Sequence, residues 1–111
     1  MLNYISNSVE HNETIVFIHG IASTSETFIN QIKLFKKDFT IIALDIPGYG
    51  KSPKIKNTTI LNYASSIHKF LISKNIKKPI LIGHSLGGMI APAYAKKFPD
   101  EVISLGLLST V

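Results

Sequence analysis

Two hydrophobic periods take turns along this chain, and their alternation restricts the fold more than any single residue does. Thr14 to His19 (TIVFIH) is a short unbroken apolar run that stops at Gly20. Such a run reads as a strand buried on both faces. Behind it, Ser23-Thr24-Ser25-Glu26 offers a capping box, with Phe28, Ile32 and Phe35 at helical spacing after it, which predicts a helix. Phe39 to Leu44 (FTIIAL) repeats the strand pattern and is stopped by Asp45-Ile46-Pro47-Gly48-Tyr49-Gly50, whose proline and glycines make a sizeable loop. Ile60, Ala64, Ile67 and Leu71 form one helical stripe that opens at Thr59 and runs out near Asn75. Pro79 then opens a third strand, Ile80 to Ile82. Ser85 to Phe98 reads as a third helix ended by Pro99, and Val102 to Leu108 as a fourth strand. Met1 to Asn7 is read as holding a piece of an antiparallel edge strand.

Strand, helix, strand, helix with short connections implies right-handed crossovers, so the predicted class is α/β: a mostly parallel sheet with helices on both faces. Every strand-to-helix loop then emerges at the carboxyl edge of the sheet, where ligands bind in such folds. That edge collects His19 to Ser23, Asp45 to Ser52, His84 to Gly88 and Ser109 onward. Asp38, Lys77, Lys78, Asp100 and Glu101 fall at the opposite edge, too far away to share chemistry with the first set.

Composition removes whole classes of function. Hydrophobic residues make up 45% of the 111 positions, too many for a disordered tail. There is no cysteine, so disulfides, thiolate metal sites and sulfur redox chemistry are excluded. Twelve Lys against seven Asp and Glu leave +5, yet Lys36, Lys37, Lys74, Lys77, Lys78, Lys96 and Lys97 cluster where helical patterns close, where cations complement the helix dipole. With no Arg and no Trp, nucleic-acid binding is not expected. No apolar stretch approaches the roughly eighteen residues that span a bilayer, and no basic residue precedes Lys33; the expected location is cytoplasmic.

Gly83-His84-Ser85-Leu86-Gly87 satisfies G-x-S-x-G, with a buried strand before it and a helix after it. A sharp strand-to-helix turn forces its central residue into a strained backbone and projects the side chain from the sheet, and the flanking glycines supply the room. Ser85 is therefore a nucleophile candidate, standing where helix N–H groups favour a developing oxyanion. The competing reading is a tight turn with a serine N-cap. His19-Gly20-Ile21-Ala22 leaves the first strand at the same edge, and one N–H from this loop with that of Leu86 makes a two-donor oxyanion hole; an ordinary turn is the plainer reading.

His19-Gly20, the Asp45-to-Ser52 loop and Gly83-His84-Ser85-Leu86-Gly87-Gly88, in this order, resemble the α/β-hydrolase fold superfamily in its esterase-like branch. The resemblance spans residues from about Leu2 to Val111, so the chain is expected to be the N-terminal part of a single hydrolase domain. It implies Ser85 as nucleophile, Ile21 and Leu86 as oxyanion-hole donors, and the Ile15 and Ile80 strands side by side. It implies ester or related acyl-bond cleavage on a small-molecule acyl substrate, with no metal and no organic cofactor. The family places its acid and base histidine, and its last strands and lid, beyond the strand that closes this sequence. Little activity is therefore expected of the chain as it stands.

The histidines present are not expected to act as the base. His84 precedes Ser85, and neighbouring strand side chains point to opposite faces. His19 borders the oxyanion loop, where a structural hydrogen bond is the commoner role. His68 flanks the stripe of an outer helix, and His11 lies in a polar segment. Asp45 is read as organising its loop, and Gly88 as relieving the kink expected at Pro92. Gly50-Lys51-Ser52 copies the end of a phosphate-binding loop, but residue 45 is Asp where that motif needs Gly, and Pro53 follows. A second hypothesis is a non-catalytic module that keeps the first half of the fold and self-associates through an open sheet edge.

Overall fold

The computed structural model describes residues 1–7 and 9–108; Ser109 onward lies outside them. A single five-stranded sheet is built from β1 (Tyr4–Ser6), β2 (Thr14–Ile18), β3 (Thr40–Leu44), β4 (Ile80–His84) and β5 (Ser104–Leu108) in the order β1-β3-β2-β4-β5. Strands β2 to β5 run parallel, with Ile15 beside Ile41 on one side and Ile80 on the other. The short β1 lies antiparallel on β3, Tyr4 opposite Leu44.

The chain steps from β2 one way to β3, then reverses and passes β2 to reach β4. The reversal goes with α1 (Ile29–Phe35) on one face and α2 (Ile60–Ser73) and α3 (Leu86–Lys97) on the other, as right-handed crossovers require. Strand alternation splits the core accordingly. Val16, Ile18, Ile42, Leu44 and Leu81 pack on Ala64, Ile67 and Leu71 of α2 and on Ile90, Ala91 and Tyr94 of α3. Ile15, Phe17, Ile41 and Ala43 face Phe28 and Ile32, with the Phe17 and Phe28 rings stacked at 4.8 Å. Reversal also makes the carboxyl end of β2 the point where strand order switches direction, the position at which open sheets of this kind hold ligands.

Three elements differ from the sequence expectation. The capping box does not form at Ser23. Thr24 is the cap, its Oγ1 accepting from the Glu26 N–H at 3.3 Å, and a 3-10 turn over Ser25–Phe28 precedes α1. The cause is tertiary, because the Ser25 N–H is held by the Asp45 carboxylate at 2.7 Å. Helix α3 starts at Leu86 and leaves Ser85 outside it, and it runs through Pro92 to Lys97 without a break. The last strand starts at Ser104 rather than Val102, after a 3-10 turn over Pro99–Glu101. Its surroundings are open: Leu105, Leu107 and Leu108 are 40%, 59% and 42% exposed.

Candidate active site

The centre of the carboxyl edge is built from backbone. Ser85 has φ 56° and ψ −114°, is exposed, and makes no side-chain cap to α3. A non-glycine residue at such an angle costs on the order of 1–3 kcal/mol and survives only where its surroundings dictate it. Here they do. A Cβ on Gly83 would run into the Gly87 carbonyl and come within 2.7 Å of the Gly88 nitrogen; one on Gly87 would run into the Ile18 carbonyl. The Gly87 N–H donates to the His19 carbonyl at 3.0 Å. Two missing side chains thus let the first turn of α3 press against the ends of both β4 and β2. Gly88 is different, since a Cβ there would meet nothing nearer than 3.6 Å.

The loop leaving β2 lies directly against this elbow. A Cβ on Gly20 would come within 2.8 Å of the Ser85 Cβ and 3.3 Å of the His84 Nδ1. Ala22 takes a positive φ of 57°, and the Ser23 N–H donates to the Gly20 carbonyl at 3.3 Å. That tight turn leaves Ile21 exposed at its tip. Among the described residues, neither the Ile21 nor the Leu86 N–H donates a loop or cap hydrogen bond, and no side chain bonds the Ser85 hydroxyl.

His19 is fully buried, and both ring nitrogens are engaged. Nδ1 donates to the Gly20 carbonyl at 2.8 Å, and Nε2 accepts from the Ile46 N–H at 3.0 Å. An Nε2 that accepts from an amide carries no proton, so the imidazole is neutral. Burial holds its pKa below the usual value, against the Gly20 hydrogen bond and the Asp45 charge. The ring is a strut between the loops that follow β2 and β3, and it lies edge-on to Tyr49 at 5.3 Å.

Asp45 organises the second loop. Its carboxylate accepts from the N–H groups of Ser25 and Lys51 at 2.7 and 3.0 Å and from the Asn3 side chain at 2.9 Å. The Ser52 hydroxyl donates to the Asp45 carbonyl at 2.6 Å and accepts from the Asn3 N–H at 2.9 Å. Burial raises the carboxyl pKa, but these hydrogen bonds outweigh it and the net shift is downward. In the Gly50-Lys51-Ser52 stretch, whose amides would cradle a phosphate in the motif it imitates, the Lys51 N–H is taken by this carboxylate and the Ser52 N–H by the Tyr49 carbonyl at 2.9 Å. Ser52 belongs to the loop that the sequence already placed at this edge, whereas Asn3 had no sequence signal as a site residue; it sits on the short flank before β1 and is recruited only by the fold.

The remaining histidines are dispersed. His68 stacks on Phe98 at 3.7 Å and pairs with Glu101 at 3.1 Å, and the backbone of His11 bonds Thr40 at the amino end of β3. His84 is the only other imidazole beside the elbow. Among the described residues, no trio of His, Asp and Glu is placed to hold a metal ion, and no helix is long and apolar enough to cross a membrane.

The chain is 33% identical over 100 residues to the dihydrolipoyllysine-residue acetyltransferase component of the acetoin cleaving system of Cupriavidus necator, covering 89% of this chain and 27% of that protein. It is 29% identical over 102 residues to a monoacylglycerol lipase of Mus musculus, covering 88% of this chain and 30% of the lipase. The solved structure of a marine microorganism esterase superposes with a TM-score of 0.90 at 26% identity, over 96% of this chain and 40% of the esterase. The chain therefore spans well under half the length of each. A family model for the alpha/beta hydrolase fold matches residues 13–111. Fold, elbow and sequence agree: this chain belongs to the α/β-hydrolase family.

Proposed function

We propose that the site cleaves an ester or a related acyl bond through a covalent intermediate on Ser85. The supporting observation is the strained, exposed Ser85 held by Gly83 and Gly87 against the Gly20 turn. In this reading the Ser85 oxygen attacks the carbonyl carbon as an imidazole takes its proton. The carbonyl oxygen becomes an oxyanion facing the Ile21 and Leu86 N–H groups. The imidazolium then protonates the leaving alcohol, and water releases the acyl group by the same steps in reverse order. Removing one oxyanion donor from such a site costs roughly 3–4 kcal/mol in the transition state.

In this reading the proton acceptor is an imidazole that a polypeptide of the relatives' length would supply. His19 is excluded by geometry, because its Nε2 is filled by Ile46 and its Nδ1 proton by Gly20. Without its base, a serine site of this kind loses about a millionfold in turnover, so little turnover is expected from residues 1–111 alone. The substrate is a small acyl compound.

A fluorophosphonate probe tests the reading. A polypeptide extended to the length of the relatives should label at Ser85 and lose the label in Ser85→Ala. A folded extended protein that stays unlabelled at Ser85 would refute acyl-enzyme chemistry. It would favour the second reading, a non-catalytic module that associates through the exposed leucines of β5.

A further inference from the structure

Charge in this chain is divided along the sequence in a way the elbow does not use. Residues 46–99 contain nine of the twelve lysines and neither an Asp nor a Glu. This stretch supplies the loop after β3, α2, β4 and α3, so its helices form one cationic layer on one face of the sheet. In that layer, on the β1 flank and away from Ser85, lies a cavity of about 350 Å³. Its walls are Leu2, Ile55 and Phe70, with Lys69 and the hydroxyl-bearing Ser66 and Ser73 at α2, and no carboxylate among them. One turn further along α2, the Lys74 amine sits 4.9 Å from the Tyr4 ring centroid and 5.9 Å from that of Phe70.

An apolar hollow of this size, at the small end of ligand sites, with Lys69 in its wall, the Lys74 amine beside the Phe70 ring at its end and no carboxylate in its lining, suits one kind of molecule. We infer that this cavity binds a single-chain amphiphile with an anionic head, its chain lying over Leu2, Ile55 and Phe70 and its head meeting Lys69 and Lys74. Lysine stems pack along apolar surface while their amines stay in water, so the same side chains line the wall and reach the head group. The site shares no residue with the elbow and stands whether or not Ser85 is a nucleophile.

Dodecanoate, kept below its micelle concentration, is the probe, added to the isotope-labelled full chain and followed by amide chemical shifts. Saturable shifts should centre on Leu2, Ile55 and Phe70. Affinity should rise about fourfold per added methylene between octanoate and dodecanoate. Lys69→Glu, a change at an exposed position, should weaken binding about fivefold, and Ile55→Ser should weaken it with the spectrum otherwise retained. Uncharged dodecanol should bind more weakly than dodecanoate. Three results overturn the proposal: shifts confined to the Gly20 and Ser85 region, affinity unchanged in Lys69→Glu and Ile55→Ser, or binding only to anionic phosphatidylglycerol vesicles with none to the monomer.

Discussion

The two ends of the parallel sheet obey different rules. At the carboxyl ends of β2 and β3, the buried polar side chains His19 and Asp45 are held by hydrogen bonds on every side. Gly87 bonds His19, His19 bonds Gly20 and Ile46, and Asp45 bonds Ser25, Lys51 and Asn3. On the outer strand β5, by contrast, Leu105 and Leu107 lie 40% and 59% exposed, beside the buried Leu81 and Gly83 of β4. The first region is held by side-chain and loop hydrogen bonds of fixed direction and distance; β5 is held by its backbone ladder to β4 and leaves apolar area uncovered. Positioning a reactive group demands the former, because a strained residue such as Ser85 persists only where its neighbours leave no alternative. Adhesion needs only the latter, and an apolar edge accepts many partners.

The sharpest way to break the contrast is to add one methyl group to the elbow. Gly87→Ala puts a Cβ into the Ile18 carbonyl, where neither backbone can yield cheaply; a loss of about 3 kcal/mol or more is expected, read as a fall in the denaturation midpoint. Next comes Asp45→Ala, which strands the buried Ser25 N–H and the Lys51 N–H. About 2–3 kcal/mol should be lost, together with amide-exchange protection at Ser25 and Lys51.

Acid should act on the same network in two steps. The His19 pKa is lowered on folding, so the unfolded chain binds that proton first, and stability present above the ordinary value of 6.5 should decline as pH falls below it. Asp45 is also lowered, and its share should be lost only below its ordinary 3.8. Urea midpoints measured from pH 8 to 3 test this, with His19→Gln removing the upper decline and Asp45→Asn the lower. If His19→Gln leaves the pH 6 region unchanged, the imidazole is not the strut described.

The smallest effects are expected at the permissive end. Leu107→Lys should change stability by no more than about 0.5 kcal/mol while reducing self-association in sedimentation runs. Gly88→Ala, one residue beyond the critical glycine, should be neutral or stabilise by up to about 1 kcal/mol, since its Cβ has room and alanine favours helix. A large loss at Gly88 would show the elbow's tolerance to be narrower than its contacts imply.

Much of this was legible in one dimension. Unbroken apolar runs at Thr14 to His19, Phe39 to Leu44 and Ile80 to Ile82, divided by helical stripes, were enough to specify strand order in sequence, helix placement and a parallel sheet. The reason is that burial on two faces leaves no polar position in a strand, whereas burial on one face imposes a period near four on a helix. The spacing of Gly83, Ser85 and Gly87 was equally readable, because steric exclusion at a sharp turn depends on residue identity alone. Tertiary structure decided what depends on groups far apart in the chain. It drew the Ser25 amide to Asp45 and so replaced the capping box at Ser23 with a 3-10 turn. It recruited Asn3 and Ser52 across separations of 42 and 7 residues. It filled both nitrogens of His19, and it left β5 uncovered. Local steric rules act between neighbours and can be read along the sequence; a hydrogen bond to a carboxylate twenty residues away exists only once the sheet has brought the two together.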